Sequence, residues 1–266
     1  MQKYNKIYLG DSRAMENIEN NSVDLIITSP PYFNLVDYQH DDQIGLTETY
    51  EGYIQSLNSV WERCSKILKE DGTICINICS TVEVSRKNQN MYYDIKHEIE
   101  QFFVEHNFYI EGTIIWNLNN TSYIKNQVER YSTNYSNNES LILNNYEYIL
   151  IFKKKSEFKE WDKDIENTKF IDCIWNVPWD YSTRPPAFPE QIVNQLIDIY
   201  SIEGNIVLDP FMGQATTALC AFKKNRKFIT YELNPTTYKL GLEKLKQVGA
   251  INVDRSKDKK VVEDLL

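Results

Sequence analysis

The stretch Val23-Asp24-Leu25-Ile26-Ile27-Thr28-Ser29-Pro30-Pro31-Tyr32 guides the interpretation of the whole chain. Its first half is a short apolar run of the kind that forms a fully buried strand. Two prolines cannot continue a sheet ladder, because each lacks an N–H and has φ fixed at about −65°. The chain therefore leaves the sheet in a stiff, extended segment with outward carbonyls, and Tyr32 lies just beyond it. This arrangement suits a flat base with an exocyclic amine, whereas a lone Pro-Pro pair more often marks an ordinary strand-ending turn.

A second motif, Asp-Pro-Phe-Met-Gly-Gln-Ala-Thr-Thr at 209–217, lies far downstream and favours the first interpretation. It follows a predicted strand at 205–208 and opens a predicted helix through 218–222. Glycine permits a close backbone approach, and a helix N-terminus offers free N–H groups with a positive dipole end, so the motif suits a carboxylate or phosphate. Glu232 ends the next predicted strand, nineteen residues after Gly213. That spacing is close to the roughly 20 residues typical of a ribose-binding acid.

The other predicted elements alternate as in an α/β domain. A strand at 6–9 ends in Gly10-Asp11, so Asp11 and Ser29 both follow strand ends, where open α/β sheets bind ligands. A polar loop at 33–48 directly follows the Pro-Pro segment, and loops in that place often close over substrate. The remaining predictions are one or two helical turns at 12–18, helices at 57–68 and 95–103, strands at 73–78 and 110–116, a strand at 146–152 antiparallel to the preceding one, a helix from Pro189 to Gly204, a strand at 227–231 and a helix from Pro235.

Length and composition fit one large α/β domain or two small ones. The 266 residues are 42% hydrophobic and 13% aromatic, which indicates a packed globular core. No apolar run approaches the ~20 residues needed to span a bilayer, and no apolar signal segment follows the first residues, so we expect a cytoplasmic protein with no membrane partner. The five cysteines are scattered and the three histidines are unpaired. We therefore expect neither a disulfide framework nor a metal.

The net charge of −9 counts against a nucleic-acid partner, so any DNA site must be a local patch on an acidic body. Two stretches are candidates. Residues 117–145 combine asparagines and tyrosines with Lys125 and Arg130, and such side chains can read base edges and stack on bases. Lys153, Lys154 and Lys155 form the densest basic run and a candidate phosphate contact. A mobile loop and a solvated strand end account for the two stretches equally well.

Together the two motifs resemble those of the S-adenosylmethionine-dependent amino-methyltransferases of DNA. That family carries a Ser-Pro-Pro-Tyr or Asp-Pro-Pro-Tyr catalytic segment and an Asp-Pro-Phe-x-Gly-x-Gly-Thr-Thr cofactor segment. The Gly-x-Gly-x-x-Gly of a dinucleotide dehydrogenase is missing here. The resemblance covers most of the chain, through residues 9–11, 28–32, 67–72, 146–150, 188–190, 209–217 and 232. Two positions depart from the pattern: Ala215 replaces the second glycine, and Leu118 stands where the family often has lysine.

The order of the motifs, catalytic before cofactor, resembles the circularly permuted beta class. The resemblance implies an α/β, Rossmann-like methyltransferase fold, with a mostly parallel twisted sheet and an antiparallel edge hairpin. Residues 1–116 would form the catalytic half and 181–250 the cofactor-binding half. The target-recognition region would lie within 117–180, which includes the strand near 146–152, and 251–266 would be a charged tail.

The resemblance also implies roles for individual residues. In the catalytic segment, Ser29 Oγ and the Pro30 carbonyl would accept the hydrogens of the target amine, Pro31 would stiffen the chain, and Tyr32 would stack on the flipped base. Asp11 would hold the adenine amine of S-adenosylmethionine and Glu232 its ribose hydroxyls. The remaining cofactor contacts would come from the second motif, through Asp209, Pro210, Phe211, Gly213, Thr216 and Thr217.

Serine rather than aspartate at the first catalytic position resembles the cytosine-N4 branch of the family. The expected function is therefore site-specific cytosine-N4 methylation of double-stranded DNA by base flipping and direct transfer, within a restriction-modification system that has a companion restriction endonuclease. Adenine-N6 methylation is the alternative. A catalytically silent DNA-binding relative and an RNA methyltransferase are further ones, and both a monomer and a homodimer stay open.

Overall fold

The computed structural model describes residues 4–34, 36–79, 82–86, 89–118, 145–154, 171–178 and 188–251, with backbone alone for 82–86 and 89–92. Most of the predicted target-recognition region and the charged tail lie outside these residues, as do Lys125, Arg130 and Lys155. The helices and strands are β1 (Lys6–Leu9), β2 (Val23–Thr28), α1 (Tyr50–Ile67), β3 (Leu68–Cys79), β4 (Val82–Arg86), β5 (Gln89–Tyr93), α2 (Ile95–Glu105), β6 (Phe108–Asn117), β7 (Tyr146–Lys154), β8 (Ile174–Asn176), α3 (Glu190–Tyr200), β9 (Ile206–Asp209), α4 (Thr216–Lys223), β10 (Lys227–Glu232) and α5 (Pro235–Gln247).

Eight strands of the described chain form one sheet in the order β1-β10-β9-β2-β3-β7-β6-β8, and β4 pairs with β5 in a separate hairpin. Every pair in the large sheet is parallel except the two made by β7, which runs antiparallel to β3 and β6. The predicted α/β fold with a mostly parallel sheet is confirmed. The β6–β7 hairpin does not form the edge, however, because the short strand β8 pairs with the free side of β6.

Helices cover both faces of the sheet, which is why its central strands are apolar runs rather than alternating ones. On one face, α1 and α2 pack Trp61 and Phe103 against sheet residues such as Ile26. On the other face, α3, α4 and α5 pack Leu196 and other apolar residues against sheet residues such as Leu25. Adjacent residues of β2 therefore enter two different cores. No helix of the described chain is long and apolar enough to cross a membrane.

The largest departure from the predicted elements is at the start of β3. The sequence predicts a helix that ends at 68 and a strand that begins at 73, with Glu70-Asp71-Gly72 between them, but α1 ends at Ile67 and β3 begins at once at Leu68. Leu68 pairs with Val23, and the next pair of the ladder is Thr73 with Leu25. The polar triplet is therefore a bulge in β3, because β2 skips over it. The predicted helical turns at 12–18 are turns without a helix.

The parallel strands β1, β10, β9, β2 and β3 all end at one edge of the sheet, which we call the carboxyl edge. Since β7 is antiparallel, it contributes its first residues to this edge: Glu147 pairs with Cys79, the last residue of β3. Lys153, near the other end of β7, pairs with Thr73 close to the start of β3. The carboxyl edge therefore gathers side chains that are more than 200 residues apart in the sequence.

Candidate active site

The two sequence motifs meet at the carboxyl edge. Strands β2 and β9 are direct neighbours, with Leu25 opposite Val207 and Ile26 opposite Leu208. Ser29 follows β2, and the second motif starts at Asp209, the last residue of β9. The catalytic segment and the cofactor segment therefore leave the sheet side by side.

A buried hydrogen bond joins these two strand ends. Thr28 Oγ1 donates to Asp209 Oδ1 at 2.8 Å, and the Phe211 N–H donates to the same oxygen at 3.0 Å. Burial raises the pKa of the Asp209 carboxyl to about 7, although the hydrogen bonds from Thr28, Phe211 and Thr217 oppose the shift. Asp209 thus links the two segments through its hydrogen bond with Thr28. Its hydrogen bond with the Phe211 N–H also stabilises the start of the cofactor segment.

The turn of the cofactor segment depends on two residues in left-handed conformations. Gly213 has φ of 51°, and Ala215, the residue before α4, has φ of 64°. The second conformation costs an alanine roughly 1–2 kcal/mol that a glycine would not incur, so the departure at Ala215 has a cost in strain. Thr216 begins α4, and Thr217 is buried in its first turn.

Glu232 ends β10 beside this turn, and backbone N–H groups hold both of its oxygens. Oε2 accepts from Gly213 N at 2.9 Å and Oε1 from Asn234 N at 2.9 Å. Burial raises the pKa of this carboxyl, and the backbone hydrogen bonds oppose that shift. These two hydrogen bonds fix the orientation of the Glu232 carboxylate next to the Gly213 turn.

Asp11 lies two residues past β1, which pairs with β10 on the outer side of the sheet. Its Oδ1 accepts from the Arg13 N–H and its Oδ2 from Arg13 Nε, each at 2.8 Å. Arg13 Nη2 also reaches the carbonyl of Asp42 at 3.4 Å. Arg13 thus connects Asp11 to Asp42 in the loop at 36–48. This part of the loop therefore lies near the ends of β1 and β10.

The catalytic segment is held rigidly by residues around it. Pro30 is buried, and the Pro31 carbonyl accepts from Tyr53 Oη of α1 at 3.0 Å. Tyr32 is only partly buried as a residue, yet its hydroxyl points inward and donates to Glu147 Oε2 at 3.0 Å. The Tyr32 ring is thereby fixed in position directly after the two prolines, and a stacking platform has to be fixed in this way.

Glu147 and Asn77 also lie beside the catalytic segment, although the sequence analysis assigns neither of them a role. Asn77 Nδ2 donates to Glu147 Oε2 at 2.8 Å and to the Tyr148 carbonyl at 3.2 Å. Glu147 is 5% exposed, and burial raises its pKa to about 7, against the hydrogen bonds from Asn77 and Tyr32. A buried carboxyl with a perturbed pKa beside the catalytic segment is typical of an active site.

The loop at 36–48 spans the two halves of the site. Asn234 Nδ2, at the start of α5, donates to the carbonyls of Tyr38 and Gln39 at 2.8 and 3.1 Å. The Tyr38 hydroxyl bonds the backbone of Tyr32, and burial raises the pKa of Tyr38 to about 12. Tyr38 therefore lies between the Glu232 end of the site and the catalytic segment.

Of the cations proposed for DNA contact, the structure describes only Lys153 and Lys154, and both lie away from the catalytic segment. Lys153 pairs with Glu111 at 3.0 Å, and Lys154 pairs with Glu70 at 3.1 Å and donates to the Leu68 carbonyl. Both lie at the end of the sheet opposite the carboxyl edge, because β7 is antiparallel. Their position and their acidic partners argue against a phosphate contact near the catalytic segment. Leu118, the other departure from the family pattern, is buried at 2% exposure.

The sheet order and the two joined motifs define an α/β methyltransferase of the Rossmann-like kind. A family model described as DNA methylase, N6_N4_Mtase, matches residues 23–243, so the chain belongs to this family of N4-cytosine and N6-adenine DNA methyltransferases. The family is S-adenosylmethionine-dependent, and S-adenosylmethionine is accordingly the methyl donor of this enzyme.

Individual relatives agree in length and fold. The chain is similar to the type II methyltransferase M.MjaI of Methanocaldococcus jannaschii, at 28% identity over 90% of each protein. It is also similar to M.SmaI of Serratia marcescens, at 25% identity over 90% of each. Among solved structures, a putative DNA modification methylase of Thermus thermophilus in complex with S-adenosyl-L-methionine superposes with a TM-score of 0.68, at 24% identity over 91% of this chain and 93% of that one. The cytosine-N4-specific PvuII DNA methyltransferase superposes with a TM-score of 0.69, at 18% identity over 97% and 90%.

The residues at the carboxyl edge fit this cofactor chemically. The ligand carries an adenine amine and ribose hydroxyls, which are donors, and the carboxylates of Asp11 and Glu232 are acceptors on the same side of the edge. A Cβ at Gly213 would lie no closer than 4.0 Å to any neighbouring atom outside its own turn, which leaves open space at the turn for a ligand. The first N–H groups of α4 have no partner within the helix, and such groups suit a carboxylate.

Proposed function

We propose that this enzyme is a site-specific DNA methyltransferase that modifies the N4 amine of cytosine, within a restriction-modification system. The observation that best supports methyl transfer at this site is the pairing of β2 with β9, which brings Ser29 beside the cofactor segment. The choice of cytosine rests on the serine at position 29, which resembles the cytosine-N4 branch. The base is not reachable inside a duplex, so it must be flipped out at a cost of a few kcal/mol.

Each residue of the catalytic segment has a role in this proposal. Tyr32 stacks on the flipped base and recovers about 1–3 kcal/mol of the flipping cost. Ser29 Oγ and the Pro30 carbonyl accept the two hydrogens of the amine, which draws the nitrogen toward tetrahedral geometry and localises its lone pair. Pro31 and the Tyr53 hydroxyl keep the Pro30 carbonyl in position. Positioning of this kind supplies most of the rate in a direct transfer.

The cofactor segment has a separate set of roles. S-adenosylmethionine supplies an electrophilic methyl group on a sulfonium sulfur. Asp11 and Glu232 are proposed to hold its adenine amine and ribose hydroxyls, and Phe211, Gly213, Thr216 and Thr217 the adjoining atoms. Asp209, which is buried behind Phe211, acts as a support, and Pro210 fixes the turn after it. We further propose that residues within 117–180 recognise the target sequence and that a companion restriction endonuclease cleaves unmodified DNA.

The test is to incubate the enzyme with labelled S-adenosylmethionine and duplex DNA of mixed sequence. The DNA is then digested to nucleosides, and the products are identified by mass spectrometry. N4-methylcytosine is expected, and N6-methyladenine would instead support the alternative. A lack of incorporation into any DNA would indicate a silent DNA-binding relative, and labelling of RNA in preference to duplex DNA would indicate an RNA methyltransferase. Ser29→Ala should abolish the signal, while Ser59→Ala, on the exposed face of α1, is the matched control.

A further inference from the structure

Ser29, Tyr32 and Glu147 form a chain of oxygen atoms that runs from the catalytic segment into the protein. Ser29 Oγ is 3.4 Å from Tyr32 Oη, which is 3.0 Å from Glu147 Oε2. The chain ends there, because the other contact of Glu147 Oε2 is the Asn77 amide, a pure donor at 2.8 Å. The proposed role of Ser29 as an acceptor does not by itself explain why a buried carboxyl stands behind it.

The surroundings of Glu147 contain no compensating cation within the described part of the chain. The titratable groups that face it are Tyr32 from the end of β2, Cys79 from the end of β3 and Tyr38 from the loop. Burial raises the pKa of each of these three groups, so all are neutral near neutral pH. Glu147 is thus the charge that can change in this cluster, with a pKa raised to about 7.

We propose that the charge of Glu147 sets the direction of the hydrogen bonds along the chain, so that Ser29 presents an acceptor to the target amine only when Glu147 is ionised. The inference rests on the proposed function, which gives Ser29 that acceptor role. Glu147 acts through Tyr32 and touches no substrate, so it is a positioning residue.

The direction follows from what each group can donate. An ionised carboxylate only accepts, so Tyr32 must donate to Glu147, and its oxygen is then free to accept from Ser29. Both lone pairs of Ser29 Oγ remain available to the amine hydrogens. A protonated Glu147 can donate to Tyr32, Tyr32 can then donate to Ser29, and the Ser29 hydrogen turns toward the pocket. A hydrogen pointing at the amine opposes binding of the amine hydrogens.

The first test needs neither cofactor nor DNA. The tyrosine doublet in the Raman spectrum reports whether a phenol donates or accepts a hydrogen bond, and the wild-type minus Tyr32→Phe difference isolates Tyr32. In the wild type we expect the Tyr32 signal to change between about pH 6 and pH 8, across the Glu147 pKa. The change should vanish in Glu147→Gln and persist in Glu62→Gln, a control on the exposed face of α1. An unchanged Tyr32 signal in the wild type, or the same change in Glu147→Gln, would overturn the inference.

The second test is the pH dependence of single-turnover methylation. The wild-type rate should rise through about pH 7, while Glu147→Gln should be about tenfold slower at pH 8 and lack this rise. Asn77→Leu removes the donor that favours the ionised form, so the midpoint should move to higher pH, a shift that loss of packing alone would not produce. Identical pH profiles in wild type and Glu147→Gln would overturn the inference and leave the proposed function intact. Wild-type enzyme that methylates no DNA would refute the proposed function, and the Raman experiment would still decide the direction of the chain.

Discussion

The Thr28 hydroxyl donates to the Asp209 carboxylate across the boundary between β2 and β9, at 2.8 Å and out of contact with water. Ser29 is the next residue on one side, and Pro210 is the next on the other. Because both partners are buried, a change at either one alters the spacing between the catalytic segment and the cofactor segment.

Thr28→Val should therefore destabilise the protein and weaken its reaction with cofactor. The substitution keeps the shape and the strand preference of threonine but leaves Asp209 with one donor fewer. We expect a loss of about 1–3 kcal/mol in the free energy of unfolding, measured by denaturant titration. Thr113→Val, on the half-exposed part of β6, is the matched control. Equal free energies of unfolding for Thr28→Val and wild type would show that the hydrogen bond from Thr28 to Asp209 does not stabilise the fold.

Asp209 should also make stability depend on pH in an unusual direction. Its pKa is raised in the folded protein to about 7 from an ordinary value of 3.8, so the folded state binds the extra proton. The stabilisation is complete below about pH 4 and is lost as the pH rises through 7. Wild type should thus lose stability relative to Asp209→Asn between pH 4 and pH 7, in parallel denaturation series. A wild-type advantage that grows with pH would contradict the assignment.

Glu232→Gln should reduce cofactor affinity and also lower the stability of the turn at Gly213. An amide nitrogen would replace one of the oxygens that now accept from Gly213 and Asn234, so a donor would face a donor. We expect S-adenosylmethionine to bind about tenfold more weakly in calorimetry. Glu243→Gln, exposed on α5, should bind as wild type does. Unchanged affinity in Glu232→Gln would remove this carboxylate from the proposed cofactor site.

Tyr32 offers two substitutions with different expected results. Tyr32→Ala removes both the ring and the hydroxyl, so turnover should fall far more than cofactor affinity. Tyr32→Phe keeps the stacking surface and loses only the contacts of the hydroxyl with Glu147 and Ser29, so its rate should lie between those of Tyr32→Ala and wild type. Single-turnover rates, measured at a saturating cofactor concentration, separate the effect of losing the ring from the effect of losing the hydroxyl. Turnover in Tyr32→Ala equal to wild type would mean that the ring does not stack on the base.

Asn234→Asp distinguishes the two roles of the Asn234 side chain, which caps α5 and holds the loop at 36–48. Oδ1 accepts from the N–H groups of Thr236 and Thr237 and caps α5, and an aspartate retains this cap. The Nδ2 donors to Tyr38 and Gln39 are lost, and a carboxylate then faces two carbonyls. Amide hydrogen exchange should therefore quicken in the loop at 36–43 while α5 stays protected. Unchanged exchange in the loop would show that Asn234 does not hold it.

The strands that carry the motifs could be predicted because each is a buried run that ends at a recognisable turn. Val23 to Thr28 and Ile206 to Asp209 are of this kind, and their pairing follows from the α/β order. The start of β3 could not be predicted, because Glu70-Asp71-Gly72 has the composition of a helix stop, and only the ladder with β2 shows it to be a bulge.

The supporting residues of the site were hidden for a different reason. Glu147 alternates with Tyr146 and Tyr148, which is the pattern of a solvent-facing position in a half-buried strand. Pairing with β3 on one side and β6 on the other buries it instead. Asn77 lies in an apolar strand where a single amide carries no signal of its own. A charged residue between two aromatic residues at a predicted strand start is the only sign in the sequence that Glu147 is unusual. This sign does not reveal that Asn77 and Tyr32 are its partners.

The antiparallel course of β7 also affects how this enzyme could acquire new DNA targets. The chain leaves β6 at Leu118 and enters β7 at Asn145, and the Leu118 N–H donates to the Asn145 carbonyl at 3.0 Å. The end of β6 and the start of β7 are thus joined beside Glu147, at the carboxyl edge. On the proposed assignment of target recognition to residues within 117–180, the segment that joins these two residues would set the sequence preference, and a change of that preference would leave the residues of the carboxyl edge as they are.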